Sequence, residues 1–195
     1  MDIEQYLEVS ERILAAARGH PNTRNADKAV AAIVDALGSG KPLLVCGNGG
    51  SAADAMHITG ELVGRFLKER RALNCICLSS NPSVLTAWAN DYSYDTAFSR
   101  QVEAYGVAGA AIIGISTSGN SKNVVEAFKA ARGIGVTTIA LTGEGGGTLA
   151  GLSDILIDVP SRATPLIQQV HICLYHYICE QVEARLTECP TISGT

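Results

Sequence analysis

Apolar positions along this chain switch between two periods. Ile3, Tyr6, Leu7, Ile13 and Leu14 recur at helical spacing, and Pro21-Asn22-Thr23 interrupts them before a second helix that runs to about Leu37. Two helices therefore precede any strand. Gly38-Ser39-Gly40 ends the second helix, and Pro42-Leu43-Leu44-Val45-Cys46 follows as a short unbroken apolar run, the pattern of a strand buried on both faces. From there strands and helices alternate. A helix is predicted from the glycine-rich stretch at residues 47–51 to about Phe66, a strand near Leu73 to Leu78, and helices near Pro82 to Ala89 and Thr96 to Tyr105. Next come a strand from Ala110 to Ile115 and a helix from about Ser121 to Ile134. A strand from Val136 to Leu141, a turn from Gly143 to Gly147, a strand from Ile155 to Val159 and a helix from about Pro165 to Leu186 complete the pattern. Residues 189–195 read as a loose tail.

Five strands alternating with helices imply an α/β fold: a three-layer, doubly wound, flavodoxin-like five-stranded parallel sheet with added N-terminal helices. In such sheets ligands gather beyond the carboxyl ends of the strands, where backbone N–H groups at helix starts lack partners.

Composition narrows the classes. With 195 residues, of which 47% are hydrophobic, the chain has the size of one well-buried domain. A formal charge of −4 leaves no electrostatic footprint for nucleic acid or an anionic membrane. No apolar run approaches the roughly 20 residues that span a bilayer. The six cysteines (Cys46, Cys75, Cys77, Cys173, Cys179 and Cys189) lie mostly in apolar runs, and Met1-Asp2-Ile3-Glu4 lacks the basic start of a signal peptide, so a reducing cytoplasm is expected. Cys75 and Cys77 alternate along a strand and read as two small hydrophobes on one face rather than as a metal pair.

Two loops carry candidate chemistry. Gly47-Asn48-Gly49-Gly50-Ser51-Ala52 satisfies the spacing of a dinucleotide fingerprint between strand and helix, but the second strand ends in Leu78-Ser79-Ser80, without the acid that such folds place on the ribose. What survives is a tight turn whose backbone approaches a ligand, with Ser51 at a helix start; its plainer reading is a helix cap. Ser116-Thr117-Ser118-Gly119-Asn120-Ser121 offers four hydroxyls at the junction of a buried strand and a helix. A loop that only caps needs one of them, so the surplus points to an anion cradle at a helix N-terminus, with Lys122 close by. His57 and Glu61 stand four apart and share a helix face, which suits either one site or a plain surface ion pair. The last helix holds Gln168, Gln169, His171 and His176 among apolar neighbours, where polar groups need partners.

Gly47 to Ala55, His57, Gly60-Glu61, Arg65-Phe66, Leu85-Thr86-Ala87, Asn90-Asp91, residues 98–102, the serine loop, Leu141-Thr142-Gly143, Thr164-Pro165, Ile167-Gln168, His171 and His176 together closely resemble the sedoheptulose 7-phosphate isomerase (phosphoheptose isomerase) family of the SIS fold. The likeness covers about residues 41 to 182. It implies one SIS domain over 1–195, with residues 1–37 serving oligomer packing. It also implies a homotetramer that interconverts sedoheptulose 7-phosphate and D-glycero-D-manno-heptose 7-phosphate on the way to nucleotide-activated heptose. Zinc is implied, with His57, Glu61, Gln168 and His176 as ligands. Ser116, Thr117, Ser118 and Ser121 would contact the phosphate, and Asn48, Gly49, Gly50, Ser51, Asn90, Asp91 and Gln168 the rest of the sugar phosphate. Glu61 would be the base and His176 the group that serves the oxygens, with an enediol between them. Gln168 and His176 lie about 12 Å apart along a helix, so ligands from more than one subunit are expected. The chain departs from the family pattern Arg-Ile-Gln-Glu, reading Leu166-Ile167-Gln168-Gln169 and so lacking an acid beside the site. A non-catalytic relative, the replication-initiator-associating protein, shares the fold but lacks the helix Glu and the late His, both of which are present here.

Overall fold

A computed structural model of the chain describes residues 1–188; the expected tail and Cys189 lie outside the described residues. Two helices come first, α1 (Ile3–Gly19) and α2 (Ala26–Gly38), joined by a short 3-10 turn at Pro21–Asn25. A capping box starts α1: the Asp2 carboxylate accepts from the Gln5 N–H, and the Gln5 side chain accepts from the Asp2 N–H. Then follow β1 (Leu43–Gly47), α3 (Gly50–Val63), β2 (Cys75–Cys77), α4 (Pro82–Asp91) and α5 (Ala97–Tyr105). The chain continues through β3 (Ala111–Ser116), α6 (Lys122–Gly133), β4 (Thr137–Thr142), β5 (Ile155–Asp158) and α7 (Thr164–Glu188).

All five strands are parallel, in the order β2-β1-β3-β4-β5. The chain winds outward in both directions from β1 and β3, so these central neighbours form the switch point, where the loops that follow them open a crevice. Strand residues alternate between two cores. Leu43, Val45, Ile113 and Ile115 pack with α1, α2, α3 and α7 on one face, while Leu44, Cys46 and Ile112 pack with α5 and α6 on the other. The expected three layers are therefore present. Cys75 and Cys77 both enter the first core as expected; burial raises both thiols, Cys75 to about 12, so they stay protonated and serve as hydrophobes.

Two boundaries differ from the sequence pattern. The helix expected to reach Phe66 stops at Val63, because a buried carboxylate gathers the chain beyond it: Glu183 of α7 accepts from the N–H groups of Phe66, Leu67 and Lys68 at 2.8, 2.6 and 2.8 Å. Arg70 lies 3.1 Å from the same carboxylate and donates to the carbonyls of Glu61, Leu62 and Gly64. β2 shrinks to three residues; it is an edge strand, paired on one side only.

Candidate active site

The glycine turn and the serine loop lie side by side at the carboxyl edge of β1 and β3. Gly49 adopts φ of +55° at the N-cap of α3, a backbone state that favours glycine. A Cβ at Gly47 would meet the Ser51 carbonyl at 2.5 Å, so this turn has room for backbone only. Ser51 sits inside α3 and makes no cap bond, which corrects the reading of it as a helix cap. Ser79, at the position where a dinucleotide fold would carry its acid, instead donates to the Gly47 carbonyl and accepts from the Gly47 N–H. Asn48 is locked from both sides: Asn123 of α6 exchanges two hydrogen bonds with it at 2.8 and 2.9 Å, and Tyr94 donates to its carbonyl oxygen at 2.8 Å. The turn is thus tied to the first turn of α6, which the serine loop leads into.

In the serine loop, Ser116 and Ser121 share a hydrogen bond at 2.9 Å, and Ser121 occupies the N-cap of α6 without capping it. The surplus hydroxyls are therefore not consumed by the helix. Gly119 turns with φ of +66°, against the Gly146 carbonyl, where a side chain has no space. Asn120 donates to Ser118 O and accepts from Thr148, closing the loop's outer wall. A cavity of about 320 Å³ opens beside Thr117, Ser118, Asn120, Gly147 and Ser161. Lys122 is exposed and lies 3.6 Å from Asp95; Glu144 and Arg162, which also line the cavity, pair with each other at 2.7 Å, and hydroxyls and N–H groups at the positive end of a helix make up the rest of the cradle.

The second cluster is built from two neighbouring helices. Gln168 of α7 lies against Gly50 at the start of α3, and seven residues further along each helix Tyr175 meets His57. At that level three donor atoms converge within 4.8 Å of one another, from His57, Glu61 and His176. His57 Nε2 is 3.0 Å from Glu61 Oε1 and 3.5 Å from His176 Nε2. Tetrahedral zinc at about 2.0–2.1 Å from N and O ligands requires donors about 3.3–3.4 Å apart, so the group fits a divalent ion in both chemistry and spacing. The pair at positions 57 and 61 thus has a third candidate ligand, His176, beside it. Phe66 packs on His176, with ring centroids 5.7 Å apart.

The remaining expected residues bond outside the three-donor cluster. Asn90 and Asp91 are exposed at the end of α4 and bonded to each other at 2.9 Å. Gln169, which stands where the family pattern has an acid, donates to the Tyr6 hydroxyl and so ties α7 to α1. His171 is a core histidine: its Nε2 contacts the Thr142 carbonyl at 3.1 Å, its Nδ1 is buried without a partner, and burial holds it down to about 4. Sequence reasoning passed over Asn123, Tyr94, Asp54 and Tyr175. Of these, Asp54 precedes His57 by three residues, a same-face spacing that could have marked it.

Comparison with known proteins decides the family. The SIS domain family matches residues 5–143. A probable phosphoheptose isomerase from Thermoplasma acidophilum is 49% identical over 185 residues, covering 95% of this chain and all of that protein. The chain belongs to the phosphoheptose isomerase family. A second family member, from Citrifermentans bemidjiense, is 47% identical over 186 residues, covering 95% of this chain and 96% of its own. The solved phosphoheptose isomerase of Neisseria gonorrhoeae superposes with a TM-score of 0.88 at 39% identity, over 93% of this chain and 97% of that one.

Proposed function

We propose that this chain interconverts sedoheptulose 7-phosphate and D-glycero-D-manno-heptose 7-phosphate through an enediol. The observation that carries the reading is the convergence of Glu61 and His176, with His57, in a chain that also keeps a hydroxyl-rich loop at a helix start. Phosphate is held by Ser116, Thr117, Ser118 and Ser121 together with the first-turn N–H groups of α6. Asn48, Gly49, Gly50, Ser51, Asn90, Asp91 and Gln168 contact the rest of the substrate. Glu61 takes the proton from C1 of the ketose and returns it to C2, while His176 gives a proton to O2 and recovers one from O1; the net change moves the carbonyl and restores both groups.

His57, Glu61 and His176 would hold zinc, with Gln168 as the fourth ligand. Such an ion supplies Lewis acidity toward the oxygen on which negative charge develops. A carboxylate engaged with metal is a weaker base, so Glu61's two roles compete.

Gln168 and His176 are two turns apart on α7, which supports completion of the site by a second copy of the chain, in a homotetramer. Exposed Met56, Val63 and Leu67 beside Glu61, and Ile3, Leu7 and Leu14 on α1, offer apolar surface for such packing. A cytoplasmic setting agrees with the free thiols of Cys46, Cys75, Cys77, Cys173 and Cys179. Among the described residues no helix is long and apolar enough to cross a membrane.

The test is incubation of the purified chain with sedoheptulose 7-phosphate, with and without a chelator, beside Glu61→Gln and His176→Gln. Formation of aldose phosphate by the wild type, lost in both variants, is expected. No turnover, together with tight binding of a protein partner, would favour the non-catalytic alternative.

A further inference from the structure

Behind the His57–Glu61–His176 cluster stands a buried pair that the reaction itself does not use. Tyr175 is 1% exposed and Asp54 is 8% exposed. The Tyr175 hydroxyl lies 2.9 Å from His57 Nδ1 and donates to Asp54 Oδ1 at 3.4 Å. The other Asp54 oxygen, Oδ2, is buried without a partner, so no competing bond draws that carboxylate away.

A neutral imidazole carries one N–H and one lone pair, and the hydrogen bond at one nitrogen decides which the other presents. His57 Nε2 faces Glu61 and His176. To bind a cation there it must present its lone pair, which requires the hydrogen on Nδ1. The group opposite Nδ1 must then accept. A tyrosine hydroxyl can donate or accept, and its single hydrogen is committed where a carboxylate takes it. At neutral pH an ordinary phenol keeps its hydrogen. With a cation on Nε2 the hydrogen of His57 moves to Nδ1, which then donates to the Tyr175 oxygen, and Asp54 is the group placed to accept the Tyr175 O–H.

We propose that Tyr175, backed by Asp54, is a positioning residue that holds His57 in the tautomer able to bind a divalent cation through Nε2. This rests on the metal reading of the cluster. Metal-bound histidines commonly lean on a carboxylate or carbonyl through their second nitrogen, and removing that partner costs about 10–100-fold in affinity. Here the carboxylate is one hydroxyl further away, on the same helix as the ligand it serves.

The experiment measures zinc affinity of the full chain by chelator competition for wild type, Tyr175→Phe, Asp54→Asn and the double variant, with thermal midpoints of the metal-free forms as a control for folding. Tyr175→Phe is expected to bind about 10–100-fold more weakly with little change in midpoint. The 3.4 Å bond to Asp54 is slack, so Asp54→Asn should lose less, and the double variant should be no worse than Tyr175→Phe alone. In zinc-loaded wild type, the His57 Nδ1 hydrogen should appear as a slowly exchanging proton resonance that Tyr175→Phe abolishes. Wild-type affinity in Tyr175→Phe, fully additive losses, or a zinc-loaded wild type with no hydrogen on Nδ1 would each overturn the positioning role while leaving the metal reading intact. A wild type that binds no zinc overturns both.

Discussion

The loop end of the candidate site and the helix cluster below it are built from opposite kinds of chemistry. At the loop end, the turn after β1 and the loop after β3 offer backbone N–H groups and neutral hydroxyls, fastened by Ser79, Asn123 and Tyr94. In the cluster, α3 and α7 bring together one carboxylate and two imidazoles, backed by buried polar groups. The first arrangement suits an anion that is gripped but not altered, since it contains no group that titrates near neutrality. The second suits proton transfer and cation binding. A sugar phosphate needs both, one at each end.

The sharpest test of this division removes the chemistry and leaves the grip. Glu61→Gln should lower kcat about 10²–10⁴-fold, the range general acid–base groups supply, while inorganic phosphate still competes for the loop end. Steady-state assays with phosphate as inhibitor measure both; parallel losses would erase the distinction.

Next in size is the buried anchor beneath the cluster. Burial pushes the Glu183 carboxyl up, but the N–H donors of Leu67, Phe66 and Lys68, with Arg70, outweigh it and hold it below its usual range. Glu183→Ala leaves the Arg70 charge without its counter-ion and the three N–H donors without their acceptor, and should cost about 3–5 kcal/mol in urea unfolding. A loss below 1 kcal/mol would show that the end of α3 holds itself in place.

His171, between the two regions, should give the fold an acid sensitivity. Its folded value of about 4 lies below the unfolded value, so the unfolded chain binds more protons between the two. Stability from this group is full above about pH 6.5 and falls by at most about 3 kcal/mol as pH drops toward 4. Unfolding midpoints across that range should flatten in His171→Gln.

The smallest effect probes the grip alone. Ser121→Ala should leave stability unchanged, because the hydroxyl does not cap α6, yet raise KM about tenfold with kcat nearly constant, as for loss of one hydrogen bond to a charged group. A fall in stability would mean that its bond to Ser116 is structural.

Much of the loop end was legible from residue order, because turns and helix starts are local: Gly49, Gly119 and the run of hydroxyls declare themselves within a few residues. The cluster was only half legible. His57 and Glu61 are four apart and share a face by helical geometry, whereas His176 joins them across 115 residues or more and Gln168 stays two turns away. Gln169 was expected beside the site as a missing acid and instead holds Tyr6, since which face of α7 meets α1 is a packing outcome.

Residue pattern alone dictated the alternation of strand and helix, the parallel sheet buried on both faces, and the run of hydroxyls at a helix start, because each follows from periodicity and backbone chemistry over short spans. Tertiary structure decided the rest. Only the close lateral packing of α3 on α7 brings Asp54, His57, Glu61, Tyr175 and His176 into hydrogen-bonding range, and contacts between residues so far apart in the chain are set by how the helices dock on the sheet.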